Sequence, residues 1–127
     1  MHGIAFRFFI SAALYVLIGM ALRIYMAASG DHAMTPVHAH LNLVGWASMG
    51  LFGLYYHNVP GAAQTRLANF HFWVSSIGLW MMVPGIALAI TGGPEGLAAG
   101  SSFVVIAGML LFVFIVWRSR GAVSELA

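Results

Sequence analysis

Four long apolar runs, separated by short stretches rich in Gly, Pro, Ser and Asn, set the rhythm of this chain. A helix needs about 20 predominantly apolar residues to cross the hydrocarbon core of a bilayer. The pattern predicts such helices over about residues 4–26, 37–56, 67–90 and 101–117. Arg7 and Arg23 fall near the ends of the first, where their side chains can snorkel to the interface. Thr35-Pro36 opens the second as a cap and first-turn proline. Pro84-Gly85 lies inside the third and predicts a kink, because proline removes one backbone hydrogen bond. The connections at 27–36, 57–66 and 91–100 are short, so neighbouring helices must run antiparallel. The expectation is an all-α membrane protein: one domain over residues 1–127, built as a four-transmembrane-helix bundle.

Composition agrees with that class. The chain has 127 residues, of which 61% are hydrophobic and 6% charged, against roughly 25% charged in an ordinary soluble domain. The lipid bilayer is therefore the first partner. A net charge of +2 gives no basis for nucleic-acid binding. The absence of cysteine excludes disulfides, thiolate metal sites, iron–sulfur clusters and covalent heme attachment through this chain. The first apolar run lacks a small-residue cleavage site and reads as a retained helix rather than a signal peptide. Arg7, Arg66, Arg118 and Arg120 fall on one side of the predicted topology. Arg23 falls on the other with Asp31 and Glu95. The positive-inside rule then places both termini in the cytoplasm, in a bacterial-type inner membrane.

Histidine is costly in hydrocarbon, and His38-Ala39-His40 stands at the entrance of the second helix. A metal or a heme iron is the commonest reason for such placement. At about 100° per residue, positions i and i+2 point about 200° apart on a helix. The two side chains therefore serve two sites on opposite faces rather than chelating one ion. His32 joins them on the outer side. His2, His57 and His71 fall on the inner side, about 30 Å away, and cannot share a site with the first group. Asn42, four residues after His38, can orient an imidazole or bond across an interface.

Two motifs carry a family resemblance. Val37-His38-Ala39-His40-Leu41, continuing through Gly45 to Met49-Gly50, resembles the tenth helix of subunit I of the heme-copper oxidases, C-type oxidase and nitric-oxide-reductase branches. Asn69-Phe70-His71-Phe72-Trp73, followed by Gly78, Pro84, Gly92 and Pro94, resembles the eleventh. The resemblance covers roughly residues 27–94, with the flanking helices matching positions nine and twelve. It implies heme b as cofactor, with His38 and His40 as iron ligands. It gives His71 no ligand role. The family's twelve helices form three four-helix arcs, and this chain has the length of one arc. A homotrimer rebuilding the ring is the resulting expectation, each heme lying between His38 of one protomer and His40 of its neighbour.

The chain also departs from that family. It has no His-His pair for the active-site copper and no counterpart of the oxygen-chemistry tyrosine. Its acidic residues, Asp31, Glu95 and Glu125, all lie outside the expected spans. Oxygen reduction coupled to proton pumping is not expected, so whether the chain is an enzyme stays open. The arginine pair that anchors heme propionates is replaced by Glu95-Gly96, and Arg23 is the candidate substitute cation. The leading reading is a membrane b-type heme protein for electron transfer or redox or gas sensing, with an unidentified electron donor. The alternatives are a cofactor-free structural or assembly component with the oxidase-arc fold, and a copper-binding membrane protein using His32 with His38 and His40.

Overall fold

A computed structural model of the chain describes residues 1–121, so the sequence reading of Glu125 lies outside the described residues. Every regular element among them is helical. The helices are α1 (Gly3–Ser29), α2 (Thr35–His40), a π-helical stretch (Leu41–Ser48), α3 (Met49–Asn58), the single turn α4 (Pro60–Ala63), α5 (Arg66–Ile90) and α6 (Gly96–Arg118). Three of them, α1, α5 and α6, are long and apolar enough to cross a membrane. The chain is a multi-pass, all-α membrane protein.

The second expected span is not one uniform α-helix. α2, the π stretch and α3 follow one another without a break, and the junction residues His40, Leu41, Ser48 and Met49 all keep right-handed helical dihedrals. Residues 35–58 therefore form one composite rod whose middle is wound more widely. Ser48 Oγ donates to the Leu43 carbonyl five residues back, at 2.9 Å, which suits the wider turn. Thr35 does not cap this rod. Its hydroxyl closes the preceding turn on the His32 carbonyl at 2.7 Å, and Met34 occupies the cap position without a side-chain bond. α5 does receive a threonine cap, Thr65 Oγ1 accepting from the Ala68 amide at 3.2 Å, and it stays helical through Pro84.

α1 packs along the composite rod and α5 along α6. Both seams are close because glycine lines them. A side chain at Gly53 would press on the Phe9 amide and the Ala5 carbonyl of α1, and one at Gly85 would overlap the backbone of Ala98 in α6. The small residues at Gly45 and Gly53 of the rod thus serve contacts within the chain. Gly45 meets Tyr15 and Leu79, and Gly53 meets α1.

Ile4, Ala5, Phe8, Phe52, Tyr56, Ala68 and Ile115 share one buried cluster, so the start of α1, the end of α3, the start of α5 and the end of α6 meet at one end of the bundle. Arg7, Arg66, Arg118 and Arg120 belong to that end. Arg23, Asp31 and Glu95 belong to the other, together with His38 and His40. The charge sorting read from the sequence is the sorting of the fold.

Candidate functional site

His38 and His40 occupy the last turn of α2 and point to different neighbours. His38 Nδ1 lies 2.9 Å from the Gly19 carbonyl oxygen of α1. His40 Nδ1 lies 2.7 Å from the Pro36 carbonyl oxygen, one turn back on its own helix. A carbonyl only accepts, so in each ring the proton sits on Nδ1 and the lone pair on Nε2. The two rings are thereby set in the same tautomer, each presenting an unprotonated Nε2.

The surroundings of those nitrogens differ. Asn42 Nδ2 stands 3.3 Å from His38 Nε2 and donates to it, while Asn42 Oδ1 is buried without a partner. Asn42 therefore orients an imidazole within its own chain, the first of the two roles its spacing allowed. His40 lines a groove of about 330 Å³ walled by Met82, Ile86 and Ala89 of α5 and by Glu95, Ala98 and Ser102 at the start of α6. One histidine thus turns toward α1 and the other toward α5 and α6, as the i, i+2 spacing requires.

Arg23 is exposed on α1, one turn (about 6 Å) beyond the Gly19 carbonyl that holds His38, on a similar face. His32 is exposed in the turn between α1 and α2. Among the described residues no three His, Asp or Glu side chains come together as a metal-binding group, so His32, His38 and His40 do not converge within one chain.

His71 has no exposed surface. Its Nδ1 lies 2.8 Å from Tyr56 Oη. The rings of Phe8, Phe52 and Phe112 enclose it, with centroids 5.0, 4.6 and 5.5 Å away. Its Nε2 is buried with no partner, as are the hydroxyls of Ser75 and Ser76 on the same helix. The family resemblance assigns His71 no ligand role, and in the sequence this buried pair is legible only as two residues near facing ends of antiparallel helices.

Comparison with known proteins gives one consistent, distant signal. The chain is 29% identical over 84 residues to the cytochrome c oxidase subunit 1 homolog, bacteroid, of Bradyrhizobium diazoefficiens, which covers 61% of this chain and 15% of that one. It is 33% identical over 66 residues to cytochrome c oxidase subunit 1 of Rhodobacter capsulatus, covering 47% of this chain and 12% of the other. The chain thus spans well under a fifth of the length of these curated relatives. No family profile and no solved structure matches it. In sequence, then, this helical membrane protein is similar to part of oxidase subunit I.

Proposed function

We propose that the chain is a membrane b-type heme protein whose work is electron transfer or redox or gas sensing. The observation that carries this reading is the pair of carbonyl anchors on His38 and His40. Histidines that bind metal almost always donate their second ring nitrogen to a carbonyl, carboxylate or water, which fixes the ring and directs the other nitrogen at the metal. Both rings here have that arrangement, at 2.9 and 2.7 Å. The donor set fits a six-coordinate heme iron held by two neutral imidazoles. When bound, such a heme supplies one-electron exchange at its iron. The chain's own residues would ligate it through His38 and His40, exclude water with the apolar walls of α5 and α6, and offer Arg23 as the cation for propionates. The likeness to oxidase subunit I supports a redox role.

Because the two histidines turn to opposite sides of one helix, each serves a different heme. Three copies arranged in a ring give each heme His38 from one protomer and His40 from the next. In this arrangement the composite rod over residues 35–58 crosses the bilayer as a fourth span, and the four-arginine end faces the cytoplasm.

A second reading, a cofactor-free structural component, is favoured by two contacts. The Asn42 amide occupies the lone pair of His38, and Glu95 stands in the His40 groove, where a carboxylate repels propionates.

The deciding experiment is the absorption spectrum of the detergent-purified protein, oxidised and dithionite-reduced, with heme quantified per chain. Sharp low-spin b-type bands near one heme per chain, lost in His40→Ala, support the heme reading. Absence of heme after reconstitution with hemin, or unchanged bands in His40→Ala, overturns the ligand assignment.

A further inference from the structure

At the arginine-rich end, a groove of about 280 Å³ opens between α4, the start of α5 and the end of α6. Ala62, Leu67 and Ile115 give it apolar walls, and Thr65, Arg118 and Ser119 are its polar side chains. Two of those three are already bonded within the chain. Thr65 Oγ1 donates to the Ala62 carbonyl at 2.8 Å and accepts from the Ala68 amide at 3.2 Å. Ser119 Oγ donates to the Ile115 carbonyl at 2.6 Å and leaves its lone pairs to Tyr55 Oη. The guanidinium of Arg118, exposed at the edge of the groove, makes no hydrogen bond or ion pair with any described residue. Arg120, two residues on, is differently held. It donates to the Trp117 carbonyl at 3.1 Å and lies over the Trp117 ring, 4.5 Å from the centroid.

Depth and charge together narrow the occupant. Trp117 is exposed on α6, and tryptophan collects at the headgroup level of a bilayer. Arg118 is the next residue and the last of α6, so its guanidinium stands where lipid phosphates lie. Asp31 and Glu95, the carboxylates among the described residues, belong to the opposite end of the bundle and cannot neutralise it. A free anion would pair with Arg118 and leave the apolar walls uncovered. A bare acyl chain would cover the walls and leave the cation unpaired. A phosphate carried on an acyl chain meets both, and a guanidinium matches a phosphate through two parallel N–H donors. A zwitterionic headgroup gains less, because it brings its own cation beside the arginine. Basic pockets between helices at a membrane surface hold anionic headgroups in this way.

We propose that this groove binds one anionic phospholipid, its phosphate held by the Arg118 guanidinium and the first part of an acyl chain lying along Ala62, Leu67 and Ile115. The site stands at the other end of the bundle from His38 and His40 and needs no heme.

The test is a titration of the delipidated protein in detergent with phosphatidylglycerol, read by native mass spectrometry, against phosphatidylcholine with the same chains. Wild type retains one phosphatidylglycerol per chain saturably and binds phosphatidylcholine more weakly. Arg118→Gln removes the cation, weakens phosphatidylglycerol about three- to tenfold and leaves phosphatidylcholine unchanged. Arg120→Gln makes the same change in net charge at the same end and leaves the affinity unchanged, since that guanidinium is held on Trp117. Gly61 lines the groove and meets open space, so Gly61→Leu fills the groove without a clash and weakens both lipids. Glycerol phosphate, which lacks the chains, does not displace the lipid at equal concentration. Equal affinity in wild type and Arg118→Gln overturns the proposal, as does equal affinity for the two lipids, or no saturable uptake. An equal loss in Arg120→Gln reduces the effect to net charge and overturns the site. Wild-type retention in Gly61→Leu, or displacement by glycerol phosphate, overturns the placement of the chain in the groove.

Discussion

Tyr56 Oη and His71 Nδ1 stand 2.8 Å apart inside a shell of phenylalanine rings, joining the end of the composite rod to the start of α5. The contact lies at the arginine-rich end of the bundle, where Tyr56 and His71 are both fully or almost fully buried. Each polar group is the other's partner, and neither has water as a substitute.

That mutual dependence predicts an asymmetric mutational cycle. Tyr56→Phe leaves the imidazole buried with both nitrogens unpaired and should cost about 1–3 kcal/mol. Replacing both residues, Tyr56→Phe with His71→Phe, removes donor and acceptor together and keeps aromatic rings in the shell. The double variant should recover much of the loss. Denaturation in detergent, followed by helical circular dichroism, gives the comparison. A double variant less stable than Tyr56→Phe alone would contradict the pairing.

The seam between α5 and α6 predicts a different sensitivity. A Cβ placed on Gly85 would lie 2.7 Å from the Ala98 amide nitrogen and 2.9 Å from its Cα, and backbone cannot swing aside as a side chain does. Gly85→Ala should therefore separate the helices and lower stability by about 1–3 kcal/mol. Gly100, on α6, meets open space. Gly100→Ala should be neutral or stabilising by up to about 1 kcal/mol through helix propensity. Equal stability of the two variants would refute the close approach.

Asn42 makes a prediction that separates the two functional readings. Its amide donates to the nitrogen of His38 that the heme reading assigns to iron. Asn42→Ala removes that competitor, so hemin affinity in reconstitution should rise by about two- to tenfold, the range of one net hydrogen bond. A fall in affinity, with His38→Ala indistinguishable from wild type, would assign His38 a purely structural contact with α1.

How much of this was legible beforehand differs by element. The spans at 4–26, 67–90 and 101–117 correspond to α1, α5 and α6, because long apolar runs between short turns leave the backbone no other way to satisfy its polar groups in lipid. The π winding at Leu41–Ser48 left no mark in the hydrophobic pattern, which continues through it as one apolar run. The separate directions of His38 and His40 followed from their spacing alone. Their carbonyl anchors did not, because Gly19 meets His38 only when α1 and the rod pack. Tyr56–His71 was hidden for the same reason: it is a relation between helices.

The sharpest test of the ring assembly uses two defective chains. His38→Ala and His40→Ala each lack one ligand, so neither alone can complete a site with two imidazoles. Within a single chain the two rings turn to opposite sides, toward α1 and toward the α5–α6 groove. If each heme lies between protomers, a site is complete wherever the intact His38 of one variant meets the intact His40 of the other. In a trimer that contains both chains, one of the three interfaces pairs an intact His38 with an intact His40, so the mixed assemblies should hold about a third of the wild-type low-spin heme. Co-expression with two different affinity tags, followed by sequential purification, isolates the mixed assemblies for spectroscopy. Recovery of the low-spin bands in the mixture, against their absence in each variant alone, is the expected result. If the wild-type chain binds heme but the mixture stays colourless, the ligands do not come from neighbouring copies, and the trimeric ring falls with them.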